Sequence, residues 1–155
     1  MENIQQKADY LQTGYLEQLA TIAPGTAPKW GKMNPQQMIE HMSDYVRIAS
    51  GRTPIQLVTE DAMVPRMQAF LESEKPFKEN TPNVLMSDTP PPVRHADHAA
   101  ALAELKDELA HFENAFKADP ALTVMNPFFG ALNYEQQVQL LHKHGTHHLR
   151  QFGIE

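Results

Sequence analysis

The chain has 155 residues and a mass of 17.5 kDa, the size of one compact domain. It has no cysteine, which excludes disulfide scaffolds, thiolate nucleophiles, iron–sulfur clusters and sulfur-ligated zinc. Its formal net charge of -6 is opposite in sign to that of a phosphate-binding surface, so we expect no nucleic acid partner.

No apolar run reaches the length of a signal-peptide core or of a membrane span, for which about 18 consecutive apolar residues are needed. We therefore expect a soluble, cytoplasmic protein without a membrane partner. Its length predicts a single domain over residues 1–155.

The N-terminal segment predicts a long helix. From Ile4 to Ile22, apolar residues recur at spacings of three and four, which places them on one helix face. Pro24 and Gly25 then end this helix.

The second predicted helix has the clearest start in the sequence. Asn34 supplies an N-cap residue, Pro35 suits the first helical position and Gln37 completes a capping box. This helix carries His41 on its apolar face, and Gly51 is its predicted stop.

The middle of the chain predicts one long connection. Residues 61–75 favour a shorter helix, and five prolines in residues 76–92 exclude regular helix and central strand there. Residues 84–86 could at most form a short extended piece. A third long helix is predicted over residues 97–118 from its leucine and phenylalanine spacing.

The last helix is predicted to start at a second capping box. Asn133 and Gln136 supply it after a loop over residues 126–130, and Gly153 ends the helix. No segment alternates convincingly as a strand over four or more residues. The predicted fold class is therefore all-α, a four-helix bundle with one long proline-rich crossover connection.

Four of the eight histidines fall within residues 142–148. Successive residues turn by about 100° around a helix, so His144 and His148 lie roughly 40° apart and point the same way. Such a pair can bind one metal ion at about 2.0–2.1 Å. His41 is the obvious third ligand, because it lies on the apolar stripe of a helix that could face the pair.

Each of these positions has a structural alternative. His41 could be a core histidine bonded to a neighbour, and the pair could belong to a solvated, histidine-rich helix end. His142 is predicted on another flank and His147 on a more solvated side, so neither joins the pair, and we expect His95, His98 and His111 at the surface. Asp44 could orient His41 as a hydrogen-bond acceptor, although we favour a solvated Asp44.

Three segments together resemble the DinB-like superfamily, and especially a branch of it whose function is uncharacterised. They are WGKMNPQQMIEH at residues 30–41, NPFFG at 126–130 and KHGTHHLRQFG at 143–153. The resemblance implies a four-helix bundle, a homodimer and a metal-binding triad at His41, His144 and His148. Many relatives have His-Arg-Gly-Gln after the last ligand, whereas this chain has His148-Leu149-Arg150-Gln151, which leaves the role of Gln151 open.

The resemblance also implies a class of chemistry. Three imidazoles leave a divalent ion with open positions, and zinc or nickel suits them best, with iron or manganese as alternatives. Relatives include mycothiol-dependent isomerases and bacillithiol S-transferases, which implies a small-molecule substrate and a low-molecular-weight thiol. Metal-assisted hydrolysis is compatible with the same ligands, but no HExxH motif indicates a zincin peptidase. The alternative function is a non-catalytic, metal-binding or stress-associated dimeric module.

Overall fold

The structure is a computed structural model, which describes residues 1–81, 85 and 89–155. The chain is mostly helical, as the sequence predicts. The helices are α1 (Ile4–Gln12), α2 (Gly14–Ala20), α3 (Pro35–Ser50), α4 (Val64–Glu72), α5 (His98–Ala118) and α6 (Tyr134–Gln151). Strands β1 (Val124–Asn126) and β2 (Gly130–Leu132) form an antiparallel hairpin.

Both predicted capping boxes are confirmed. Asn34 Oδ1 accepts a hydrogen bond from the backbone N–H of Gln37 at 2.8 Å, and Gln37 Oε1 accepts one from Asn34 N at 2.9 Å. Asn133 and Gln136 form the same pair of bonds at the start of α6. Because these bonds are local, they fix where α3 and α6 begin independently of the rest of the fold.

The first predicted helix is divided into α1 and α2. Thr13 has φ -135° and ψ -78°, which is outside the helical region and separates the two segments. The predicted short helix is present as α4, preceded by a 3-10 turn, with Pro65 in its first turn. Of the possible extended piece at residues 84–86, Leu85 alone belongs to the described residues, so that piece stays a prediction.

The hairpin adds a small two-stranded sheet to the predicted all-α fold. Its strands are three residues each, too short for an alternating pattern. Asn126 Oδ1 stabilises the turn by accepting hydrogen bonds from the backbone N–H groups of Phe128 and Phe129. Gly130, which follows the turn, has a left-handed backbone conformation with φ 83°. Val58 N also donates to Pro127 O at 2.7 Å, a contact that no local pattern reports.

One apolar core fills the space between the helices, and α3 packs most extensively on α5. A smaller apolar cluster joins α4, the hairpin and α6 through Leu71, Phe129, Leu132 and Leu140. In the described part of the chain, no helix combines the length and hydropathy that a membrane crossing requires. Helix α6 contacts both α1 and α3, which brings its histidines close to the residues of α3.

Candidate metal centre

Three histidine side chains from two helices converge on one point. His41 Nε2 on α3 lies 3.0 Å from His144 Nε2 on α6, and His148 Nε2 lies 2.9 Å from the same atom. All three candidate ligand atoms lie within 4.8 Å of one another. The structure thus brings together the three histidines that the sequence singled out.

Burial keeps these three imidazoles neutral. It lowers the pKa of His41 from 6.5 to about 4, with a smaller contribution from His147. Burial also lowers the pKa of His144 and of His148 well below 6.5, and the neighbouring histidines add to the effect. Neutral imidazole is the protonation state that ligates metals.

The arrangement fits a cation better than it fits hydrogen bonding among the rings. A neutral imidazole nitrogen carries either a proton or a lone pair, so His144 Nε2 can make only one straight hydrogen bond to its two Nε2 neighbours. The remaining contact is then either bent or brings two like groups together. One cation accepting a lone pair from each nitrogen would satisfy all three.

Aromatic side chains enclose the triad. The Tyr45 ring centroid lies 4.8 Å from those of His41 and His144, and that of Phe77 lies 6.1 Å from that of His144. These rings exclude water on their side of the imidazoles, which strengthens electrostatic interactions there.

A cavity of about 430 Å³ lies beside His41. Apolar side chains dominate its lining, and Glu40, Asp44 and Arg94 supply its charges. The cavity has the size of a small-molecule site. Among the described residues that line it, His41 is the member of the triad that borders it.

His147 is buried, which corrects the prediction of a more solvated side. Only 8% of it is exposed, because Trp30 and Phe77 cover it with ring centroids 5.3 and 5.8 Å away. Both rings come from segments distant in sequence, so the angular count along α6 could not show them. Within the described residues, the metal-capable group consists of the triad without His147.

The remaining histidines also lie outside the triad, and they are half-buried rather than on the open surface. His95 Nε2 lies 2.8 Å from Glu104 Oε2, and His98 Nε2 lies 3.3 Å from the backbone oxygen of Leu19. His111 and His142 lie on α5 and α6.

Asp44 faces arginines rather than His41. Its Oδ1 lies 3.2 Å from both Arg47 Nη1 and Arg94 Nη2, and the side chain is 49% exposed. The prediction that Asp44 is solvent-exposed agrees with this exposure. Its ion pairs with the two arginines were not predicted from the sequence.

Gln151, whose role the sequence does not determine, is a hydrogen-bond partner of the triad. Its Oε1 lies 2.8 Å from His148 Nδ1, and its Nε2 donates to the backbone oxygen of Trp30 at 2.9 Å. The spacing of three residues from His148 on one helix is the sequence signal that points to this contact.

Comparison with known proteins identifies the family of the chain. The family model described as DinB superfamily matches residues 8–152. No curated protein and no solved structure matches the chain. The family match covers nearly all of the sequence, including the three converging histidines, and the chain therefore belongs to the DinB superfamily.

Proposed function

We propose that this protein is a metal-dependent enzyme in which His41, His144 and His148 hold one divalent cation. The observation that carries the proposal is the convergence of three neutral Nε2 atoms, two of them 3.0 and 2.9 Å from the third. Membership of the DinB superfamily supports the same reading. Zinc or nickel suits the all-nitrogen donor set best, with iron or manganese as alternatives.

Different residues of the chain would hold the ion, exclude water and bind the substrate. When bound, the ion supplies a Lewis acid that acidifies a thiol or a water, or polarises a carbonyl. Tyr45 and Phe77 shield the imidazoles from water, and the cavity beside His41 receives the substrate. The apolar lining of the cavity favours a small organic molecule.

The reaction we propose is S-transfer or isomerisation that uses a low-molecular-weight thiol. The chain has no cysteine, so the sulfur must come from a co-substrate. The proposal includes a single domain over residues 1–155, a four-helix bundle, a homodimer and a cytoplasmic location. Hydrolysis by the same ligands is the competing reaction class, and substrate panels separate the two.

A non-catalytic, metal-binding or stress-associated module is the second candidate. The enclosure of the site favours it, because among the described lining residues only His41 connects the triad to the cavity. In that case the cation would serve stability, and no substrate would reach it.

Metal content tests the proposed site directly. The protein purified without a histidine tag should contain close to one equivalent of a transition metal by elemental analysis. His144→Ala should lose it, because two imidazoles alone bind weakly. His111→Ala removes a histidine outside the triad and should retain the metal. Metal-free wild-type protein that takes up none of the candidate ions would overturn the proposal.

Turnover separates the two candidates. Conjugation of a thiol to an electrophile, abolished by chelation and by His144→Ala, would establish the enzyme. Stoichiometric metal without turnover across panels of thiols and esters would establish the module instead.

A further inference from the structure

We infer that Gln151 is a positioning residue, which holds His148 in the tautomer protonated on Nδ1 and thereby turns the lone pair of Nε2 toward His41 and His144. The inference concerns a hydrogen-bond network that exists without metal. Only its consequence for metal affinity rests on the proposed function.

The network fixes the direction of each hydrogen bond. The backbone oxygen of Trp30 can only accept, so the Gln151 group 2.9 Å from it must be the amide NH₂. The amide oxygen of Gln151 is then the atom that lies 2.8 Å from His148 Nδ1. Because this oxygen can only accept, Nδ1 must carry the proton and Nε2 must carry the lone pair.

The surrounding backbone keeps the amide in place. Gln151 is 3% exposed, and its own carbonyl accepts from the backbone N–H of Lys29 at 2.7 Å. Gly31 has φ 76°, and a Cβ there would lie 2.9 Å from Gln151 Nε2. The loop over residues 29–31 therefore holds both the backbone and the side chain of Gln151.

Within the part of the chain that the structure describes, His148 differs from the other two ligands in its hydrogen bonds. His41 and His144 meet through their Nε2 atoms, whereas His148 is bonded on both ring nitrogens. The tautomer of His148 thus determines that one lone pair already faces the other two rings. A partner of this kind typically changes metal affinity by about 10- to 100-fold.

Three variants separate this role from a general effect on folding. Gln151→Leu removes the acceptor for His148 and the donor to Trp30. Gln151→Glu keeps an acceptor oxygen but cannot donate to Trp30. Gln137→Leu is the matched control, because Gln137 is 1% exposed on the same helix and donates to a backbone oxygen, that of Val124, at 3.2 Å.

The primary measurement is the tautomer of His148 in metal-free protein, by nitrogen-15 NMR at mildly alkaline pH. We expect the form protonated on Nδ1 in the wild type, Gln151→Glu and Gln137→Leu, and a shift toward the form protonated on Nε2 in Gln151→Leu. An unchanged tautomer in Gln151→Leu, or protonation on Nε2 in the wild type, would overturn the inference. Should Gln151→Leu not fold, the tautomers of His148 in the wild type and in Gln151→Glu still test the inference.

Metal affinity by competition with a chelator is the second measurement. We expect a loss of about 10- to 100-fold in Gln151→Leu, recovery in Gln151→Glu and no change in Gln137→Leu. If wild-type protein binds no metal, the proposed function fails. The tautomer of His148 still tests whether Gln151 is a positioning residue. If the wild type binds metal and Gln151→Leu binds it equally well with the same tautomer, the inference fails alone.

Discussion

Helix α3 carries two polar regions that are stabilised in opposite ways. His41 faces two further imidazoles, all kept neutral by burial. Glu40, Asp44 and Arg47 belong instead to an ionic network in which each charge meets an opposite one. His41 thus owes its neutral state to desolvation, whereas the charge of the adjacent Glu40 is compensated by an ion pair.

The ionic network joins α3, α5 and the segment before α5. Glu104 on α5 pairs with Arg47 at 2.9 Å and also with Arg94 and His95. Glu40 is 4% exposed and accepts from the backbone N–H of Arg94 at 2.7 Å. These bonds attach the segment at residues 94–95 to α3.

The triad is an all-nitrogen donor set, and the carboxylates near it in sequence are engaged elsewhere. The carboxylates nearest in sequence to His41 are Glu40 and Asp44, and both are engaged by Arg94. The network therefore engages both carboxylates with cations, while the candidate metal group contains imidazoles alone. Nitrogen donors without carboxylates favour zinc or nickel over magnesium or calcium.

The largest expected effect concerns the neutral region. Zinc at about 1,000 times its dissociation constant should raise the free energy of unfolding by about 4 kcal/mol, because only the folded chain assembles the three ligands. Urea unfolding with and without zinc measures this shift. His144→Ala should lose most of it, and an equal shift in that variant would contradict the assignment.

Breaking the ionic region at its buried carboxylate should cost less. Glu40→Ala leaves the backbone N–H of Arg94 without its acceptor and removes one of the two acceptors of the Gln36 side-chain amide, which keeps the backbone oxygen of His95. We expect a loss of about 2 kcal/mol by urea unfolding. Glu40→Gln retains one acceptor oxygen and should lose less. Equal stability of all three proteins would show that Glu40 does not hold the segment.

The ionic region also predicts a pH dependence. Burial alone would raise the pKa of Glu104, but hydrogen bonds from His95, Arg94 and Arg47 outweigh it and lower the pKa from 4.5 to about 2. The folded state therefore binds the proton less readily than the unfolded state, so this stabilisation is present above pH 4.5 and is lost as the pH falls toward 2. Glu104→Gln should flatten that part of the profile measured by urea unfolding, and an unchanged slope would contradict the assignment.

The smallest effect is expected at Asp44. Its exposed ion pairs with Arg47 and Arg94 contribute little, so Asp44→Asn should change the free energy of unfolding by no more than about 0.5 kcal/mol. Metal content should also be unchanged, because the carboxylate pairs with two arginines and is not part of the group that could hold the ion. Loss of metal in this variant would instead support a role for Asp44 in orienting His41.

Features determined by neighbouring residues could be predicted from the sequence. The starts of α3 and α6 follow from Asn34 and Asn133, whose caps involve residues three positions away. The helical spacing brought His144 and His148 to one face, and the apolar stripe of α3 selected His41. The resemblance to DinB-like proteins joined them into one triad.

Features that depend on distant segments could not be predicted. His147 is buried by Trp30 and Phe77, more than 100 and about 70 positions earlier in the chain. The hairpin is held by Asn126 and by the contact of Val58 with Pro127, neither of which alters the hydrophobic pattern. The helix breaks at Thr13, but the spacing of the apolar residues continues unchanged across this position, so the sequence does not indicate the break.

Gly145 lies between the two ligands of α6 and rests directly on Tyr15, whose ring would be 3.0 Å from an added Cβ. The Tyr15 ring of α2 therefore packs against the backbone of α6 at this turn, where a side chain would otherwise stand. A larger residue at position 145 would require either the buried Tyr15 ring or the turn of α6 that carries His144 and His148 to shift by tenths of an ångström. The packing of the ligand-bearing turn of α6 on Tyr15 therefore depends on a residue that has no side chain.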